Sequence, residues 1–486
     1  MSTYLYELPT TGAIAFSDFC VDQSISKAYT AHISDTTQAR ANLRALLKES
    51  KRTDDDEKDY LRVVKVLDDY LPLLRGVMAC VAHDEIGLRS EPVFSWRTTL
   101  SANLFHSSPR LSLPTLHAEY ASVLLTYAFA LSNMARAAVG ALGAYEHDRA
   151  ISDVERKAKD EKLSFAVNLL CRASGVFQFI SETALLEWEN SRDGGTVGLP
   201  RPPDLTREVT TALAKMSLAD AQTLAIRKLL SKSAYDSNIA PGPPLPKSHP
   251  APALIAKLHL ECGALYSSAR ALAKTPGAAR PRAKSASQFL SKDGRDASEV
   301  SADLRRYLND EAAFHDALAR KWLGVDAGES GGNDRGGEAV GFLAWAKKEL
   351  EDLKDGGSGK GIIGSGKEKE ARERRKEKVS DELAKVLVFW KHYKKINDSL
   401  SFQPVPSQPD LQARIPAGRE AVKAKAFVPP LPAFGPGSVE YTRQQAEQLE
   451  LAQDGEEEAV PNGVHLPAET TNPSSATSYA GSGEYF

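Results

Sequence analysis

The chain has little of what most enzyme chemistry requires. Its four cysteines, Cys20, Cys80, Cys171 and Cys262, are scattered and form no C-x-x-C pair. Each sits among apolar or small residues, which predicts reduced, buried thiols rather than a redox or zinc centre. The ten histidines include no H-E-x-x-H and no Cys/His grouping at metal-ligand spacing, so neither a metal nor another cofactor is expected. Charge of one sign is also missing. With 61 basic against 64 acidic residues the net charge is −3, which argues against nucleic acid as a general partner. The opening "MSTYLYELPTTG" lacks the basic-then-apolar order of a secretory signal. No uninterrupted apolar run approaches the ~18 residues that span a bilayer. A soluble, cytoplasmic protein is expected, with no transmembrane segment and any membrane recruitment peripheral.

Two catalytic motifs occur in form only. "GIIGSGK" (361–367) fits G-x-x-x-x-G-K, but Glu368 stands where the magnesium-binding Ser or Thr belongs, and no buried strand precedes it. "GESGG" (328–332) fits G-x-S-x-G without the strand–turn–helix of a nucleophile elbow, leaving Ser330 a loop serine. His259 and His315 fall on helical segments and read as core-edge or surface groups. No catalytic constellation remains, and the chain is read as non-catalytic.

What the chain has is helix. Apolar residues recur at three- and four-residue intervals in "DTTQARANLRALLKES", "DEKDYLRVVKVLDDYLPLLRGVMACVAHD" and then in long segments from about residue 114 onward. Several of these segments exceed 20 residues and are joined by polar loops, which predicts antiparallel neighbours in a bundle or solenoid-like array. "YLYEL" and "EPVFSW" predict a small β-sheet near the N-terminus. Prolines from residue 401 predict an extended arm over 401–430, closing a domain of residues 1–430. Residues 431–486 are polar and predict a mostly disordered tail with a short helix at 439–453.

Two surface features stand out. "KEKEARERRKEK" (367–378) has seven bases against four acids, a solvated helical face with a modest positive balance. "VPPLP" (428–432) fits the polyproline II pattern P-x-x-P, although such runs more often simply pack or link. Leu254 and Leu258 lie one helical turn apart, and periodicity alone leaves open whether they face the core or a partner.

Five stretches in order carry a resemblance: "VFSWRTTL" (93–100), "EKLSFAVNLLCRASGVFQFISETAL" (161–185), "SLADAQTLAIRKLL" (217–230), "ALIAKLHLECGALY" with the helices after it, and "SFQPVPSQPDL". Together they resemble the BRO domain, the boomerang-shaped helical domain of ALIX-type adaptors. The resemblance covers roughly residues 1–430. It implies a mainly α fold, an elongated array of long antiparallel helices, and no catalysis. It also implies binding of the amphipathic C-terminal helix of an ESCRT-III filament subunit in a shallow apolar groove. "YLYELPTTGAIAFSDFCVD" and the lack of a long coiled-coil arm resemble a fungal branch of the family. The role implied there is to link those filaments, at plasma-membrane or endosomal sites, to ambient-pH signalling complexes and proteolytic activation of a transcription factor.

The family's two aliphatic docking residues fall on Leu254 and Leu258, with Ser164, Phe165, Ala225, Ile226 and Lys228 as the neighbouring contacts. Ala225 stands where many relatives have a bulky aromatic, and Ser164 where they have a lysine. The competing reading is a peripheral membrane or endosomal sorting scaffold acting through its basic surface on anionic lipid.

Overall fold

The structure is a computed structural model. It describes residues 3–24, 26–54, 57–101, 109–191, 201–237, 242–274, 300–332, 334–356 and 366–457. Twelve α-helices and four short strands are described. Helices α1 (Thr30–Arg52) and α2 (Tyr60–Ala82) precede strands β2 (Ile86–Leu88), β3 (Val93–Arg97) and β4 (Arg110–Pro114); strand β1 (Cys20–Asp22) comes before α1. Next come α3 (Leu116–Gly140), α4 (Asp153–Phe179), α5 (Leu185–Asn190), α6 (Arg207–Ser237), α7 (Pro252–Ala273), α8 (Ala302–Ser330), α9 (Gly336–Gly356) and α10 (Gly366–Ile396). The short α11 (Gln408–Ala413) and the tail helix α12 (Val439–Glu457) complete the order.

Contacts run between successive members of the row α1, α2, α3, α4, α6, α7, α8, α9, α10, giving the elongated helical array expected. Polar side chains set the helix starts. Asp59 accepts from the Arg62 N–H at the start of α2, and Thr115 from Ala118 at the start of α3. Ser152 and Glu155 form a reciprocal capping box on α4. Helix α7 starts on Pro252, whose missing N–H costs nothing in a first turn.

The expected single sheet is two separate antiparallel pairs, β1–β2 and β3–β4. "EPVFSW" supplies β3, but "YLYEL" is not a strand. Its Tyr6 backbone is held by a side chain instead: Asn133 Oδ1 accepts from Tyr6 N at 2.9 Å and Asn133 Nδ2 donates to Tyr6 O at 2.8 Å. The N-terminal elements meet at one buried ion pair. Glu119 on α3 accepts from Arg40 on α1 (2.8 Å), Tyr70 on α2 (3.0 Å) and Trp96 on β3 (2.6 Å), and is fully buried.

Two helical stretches, Leu116–His147 and Asp153–Asn190, are long and apolar enough on average to cross a membrane, but 72% and 61% of their most apolar windows lie inside the fold. The four cysteines are all buried and none is disulfide-bonded. Ser330 ends α8 rather than lying in a loop. Most of "GIIGSGK", and the tail beyond residue 457, lie outside the described residues.

Candidate partner-binding site

The site is built on one face of the layer formed by α4, α6 and α7. That face is crossed by the proline-rich strap, residues 415–438. Its prolines prevent helix, so its backbone donors need partners on the helices beneath. Arg419 N donates to Lys257 O (3.0 Å) on α7, and Ala421 N donates to Gln222 Oε1 (2.7 Å) on α6. Lys425 N donates to Cys171 O (3.0 Å) on α4, where Lys425 Nζ also reaches Asn168 (3.1 Å). Farther on, Ala433 N donates to Pro72 O (2.9 Å), the Arg75 guanidinium donates to Pro430 O, and Phe434 stacks on His32 at 4.5 Å. The approach to α4 is so close that a Cβ on Gly175 would lie 1.7 Å from Lys425 O, which explains a glycine inside that helix. The strap therefore does not end at residue 430: Phe434 is buried, Ser438 is buried, and Tyr441 on α12 donates to Glu85 at 3.2 Å.

Beside the strap lies a furrow. Phe165, Ala225 and Leu254 each sit three residues from a strap-bonded position, Asn168, Gln222 and Lys257 respectively. Three residues are about 4.5 Å along a helix axis. Because α4, α6 and α7 alternate in direction, all three offsets point the same way. The three side chains form a row across the layer, parallel to the strap. Phe165 is 50% exposed and Leu229, one turn beyond Ala225, is 41% exposed. Leu254 and Ala225 are partly covered. Leu229 was not anticipated from the sequence, although its position four residues after Ala225 could have indicated it.

The polar edge is set by Lys228. Its ammonium donates to Ser164 Oγ (2.5 Å) and Glu161 (3.1 Å), joining α6 to α4. Of the seven anticipated residues, the structure thus brings Ser164, Phe165, Ala225, Lys228 and Leu254 onto one open face. Leu258 and Ile226 are not there. They are 4% and 2% exposed and belong to the core. Leu258 lies at the level where the strap crosses, between Lys257, whose carbonyl accepts from Arg419 N, and Glu261, which Gly418 approaches closely. Ile226 points inward because it follows Ala225 by one residue, a rotation of about 100° on a helix.

Part of the basic run in α10 is committed to the fold, while Arg372, Arg374 and Lys376 stay exposed. Arg375 pairs with Asp310 at 2.5 Å and Lys378 with Glu311 at 2.9 Å, which leaves less free charge for an anionic surface than the sequence suggests.

Behind the furrow, α6, α7 and α8 enclose a neutral polar cluster. His259 Nδ1 and His315 Nδ1 share a hydrogen bond of 2.9 Å, and His315 Nε2 meets Thr223 Oγ1 at 3.1 Å. Both rings are buried rather than core-edge or surface. Burial holds both well below the usual histidine value. Glu311 comes within 3.8 Å of His315, but Lys378 occupies it. Burial pushes the Asp220 carboxyl up to about 7, although Tyr266 and Tyr307 donate to it. Among the described residues no group of three His, Cys, Asp or Glu side chains could hold a metal ion.

Comparison with known proteins places these features in a family. The BRO1-like domain model matches residues 16–462. The chain is 38% identical over 512 residues to the pH-response regulator protein palC of Cryptococcus neoformans var. neoformans serotype D, covering 100% of both chains. It is 24% identical over 462 residues to the palC of Yarrowia lipolytica, covering 88% of this chain and 94% of the other. In fold it is similar to ALIX in complex with the SIVmac239 PYKEVTEDL late domain, with a TM-score of 0.58 at 17% identity. That match covers 94% of this chain and 56% of the ALIX chain, so the present chain spans little more than half of that protein. The ALIX BRO1–CHMP4C complex matches with a TM-score of 0.55 at 17% identity, over 90% and 98% of the respective chains.

Proposed function

The chain belongs to the BRO1-like domain family, and from that premise we propose that it is a non-catalytic adaptor whose furrow captures the amphipathic C-terminal helix of an ESCRT-III subunit. The observation that carries this reading is the row Phe165–Ala225–Leu254, with Leu229 beside it, left open along the strap on three packed helices. A half-exposed phenylalanine and an exposed leucine on one face of the packed layer form the kind of shallow apolar track that reads an amphipathic helix at i, i+3, i+4 and i+7. The complex of the ALIX BRO1 domain with CHMP4C supports the same class of occupant.

Magnitudes constrain the fit. Covering Phe165, Leu229 and Leu254 contributes on the order of 3–4 kcal/mol gross, before association costs. A micromolar complex needs roughly 8 kcal/mol net, so the polar edge at Ser164, Lys228 and Glu161 must take part. Ala225 leaves room where a bulkier side chain would fill the track, and this selects a partner helix with a large apolar residue at that level.

The relatives named as pH-response regulators support the direction of the signal. The adaptor, recruited from the cytoplasm to plasma-membrane or endosomal sites, links ESCRT-III filaments to the ambient-pH signalling complex. The output is proteolytic activation of a transcription factor. Calorimetric titration with the isolated C-terminal helix of each ESCRT-III subunit tests the capture step. One subunit is expected to bind in the micromolar range, and Leu254→Asp to weaken it at unchanged melting temperature. Binding by none of the helices would refute the reading. The signalling step is tested in cells by following processing of the transcription factor at alkaline pH in the same variant, where loss of processing is expected.

A further inference from the structure

The strap carries a second surface that the helix-binding furrow does not use. In Val428-Pro429-Pro430-Leu431-Pro432 three residues have φ fixed near −65°, and Val428, Pro429 and Leu431 each precede a proline and are pushed out of the helical region. The segment is therefore confined to polyproline II, whose three-residue repeat sorts side chains onto three edges. Residues 427, 430 and 433 recur at the three-residue repeat, and the chain is tied to the domain at each of them. Phe427 packs on Phe179 at 5.2 Å, Pro430 O accepts from Arg75, and Ala433 N donates to Pro72 O at 2.9 Å. Val428 and Leu431 share another edge and are 82% and 61% exposed. Pro429 and Pro432 lie on the third edge, half-buried.

Val428 and Leu431 thus face outward, each followed by a half-buried proline, with the tethered Pro430 between them. That is the spacing an aromatic-lined groove reads in a polyproline II ligand, with each apolar-proline pair filling one slot. Ordinary packing would bury the valine and the leucine and leave the spacer free. Here the spacer is tied down and the two ridge residues are bare. Because the domain holds the ridge in its bound shape, the ordering cost of an unstructured proline-rich peptide is largely removed. Lys423 and Lys425, both exposed, precede the ridge and favour a groove with an acidic rim.

We propose that the outward ridge Val428–Pro432 is a preformed polyproline II ligand for a WW- or SH3-type domain with an aromatic groove and an acidic rim. It is an interaction surface separate from the furrow. The test is an array of purified WW and SH3 domains titrated with the full chain and, in parallel, with a free peptide of residues 424–435. At least one domain is expected to bind the folded chain as tightly as the peptide or more so. The double variant Val428→Ser, Leu431→Ser should weaken that binding at least tenfold without lowering the melting temperature, while Leu254→Asp leaves it unchanged. The proposal is overturned if no domain in the array binds, or if domains bind the peptide but not the folded chain. It is equally overturned if the double variant binds as well as the wild type, or if it unfolds, since the ridge would then be core.

Discussion

The α4–α6–α7 layer has two regions that differ only in their distance from the strap. Under the crossing, Cys171, Gln222 and Leu258 are nearly inaccessible. About two turns along the same helices, Phe165 and Leu229 are 50% and 41% exposed. The helices are the same; what differs is a segment more than 150 residues later in the chain. The strap converts one part of an amphipathic face into core and leaves the adjoining part as a track. The two regions should therefore respond oppositely to substitution, one in stability and the other in binding.

The largest effect is expected in the sealed region. Leu258→Asp places a charge in the core without a partner and should cost about 4 kcal/mol or more, or prevent folding; a soluble variant with a wild-type melting temperature would place Leu258 back on the surface. Gly175→Ala comes next. Its methyl cannot coexist with Lys425 O, and displacing the strap there should cost about 1–3 kcal/mol. Limited proteolysis between residues 415 and 430 should then speed up. An unchanged cleavage rate would mean that the strap is not held on α4.

The neutral cluster behind the furrow sharpens the comparison through pH. The buried rings of His259 and His315 titrate well below 6.5, so below that pH the unfolded chain binds protons that the fold does not, and stability falls with pH. Asp220 acts in the opposite sense. Its folded value of about 7 lies above the roughly 3.9 of an unfolded aspartate, so the fold gains stability as pH falls through that window. From pH 7.5 to 5.5 the two histidines therefore work against the fold and Asp220 works for it. Urea unfolding at the two pH values should therefore show a larger loss of stability on acidification in Asp220→Asn than in the wild type. Equal losses in both proteins would remove the assigned opposition. The smallest effect belongs to the polar edge. Lys228→Ala removes a half-exposed bridge to Ser164 and Glu161 and should change stability by less than about 0.5 kcal/mol. Its effect on helix binding should diminish with added salt, which titrations at two ionic strengths would show.

The helices were legible because a buried stripe leaves a three- and four-residue period. "YLYEL" was misread because its pairing partner is the side chain of Asn133 rather than a strand, and no local pattern encodes that. At the site, the family resemblance pointed to Phe165, Ala225 and Leu254, and the three lie on one face of the layer. Spacing could not supply depth. Leu254 and Leu258 share a face by period, yet only one lies where the strap crosses, and that depends on contacts distant in sequence. Ile226 shows the limit at finer scale, since a shift of one residue from Ala225 turns a side chain from track to core. The outward ridge was visible as a P-x-x-P pattern, but which of its edges is bare depends on Arg75 and Pro72.

The most direct test is calorimetric titration of wild type and Phe165→Asp with the ESCRT-III C-terminal helix that binds best, alongside the melting temperature of each. The account predicts at least tenfold weaker binding with the melting temperature essentially unchanged. Undiminished binding by the aspartate variant would contradict it, because the partner would then be docking somewhere other than the track beside the strap.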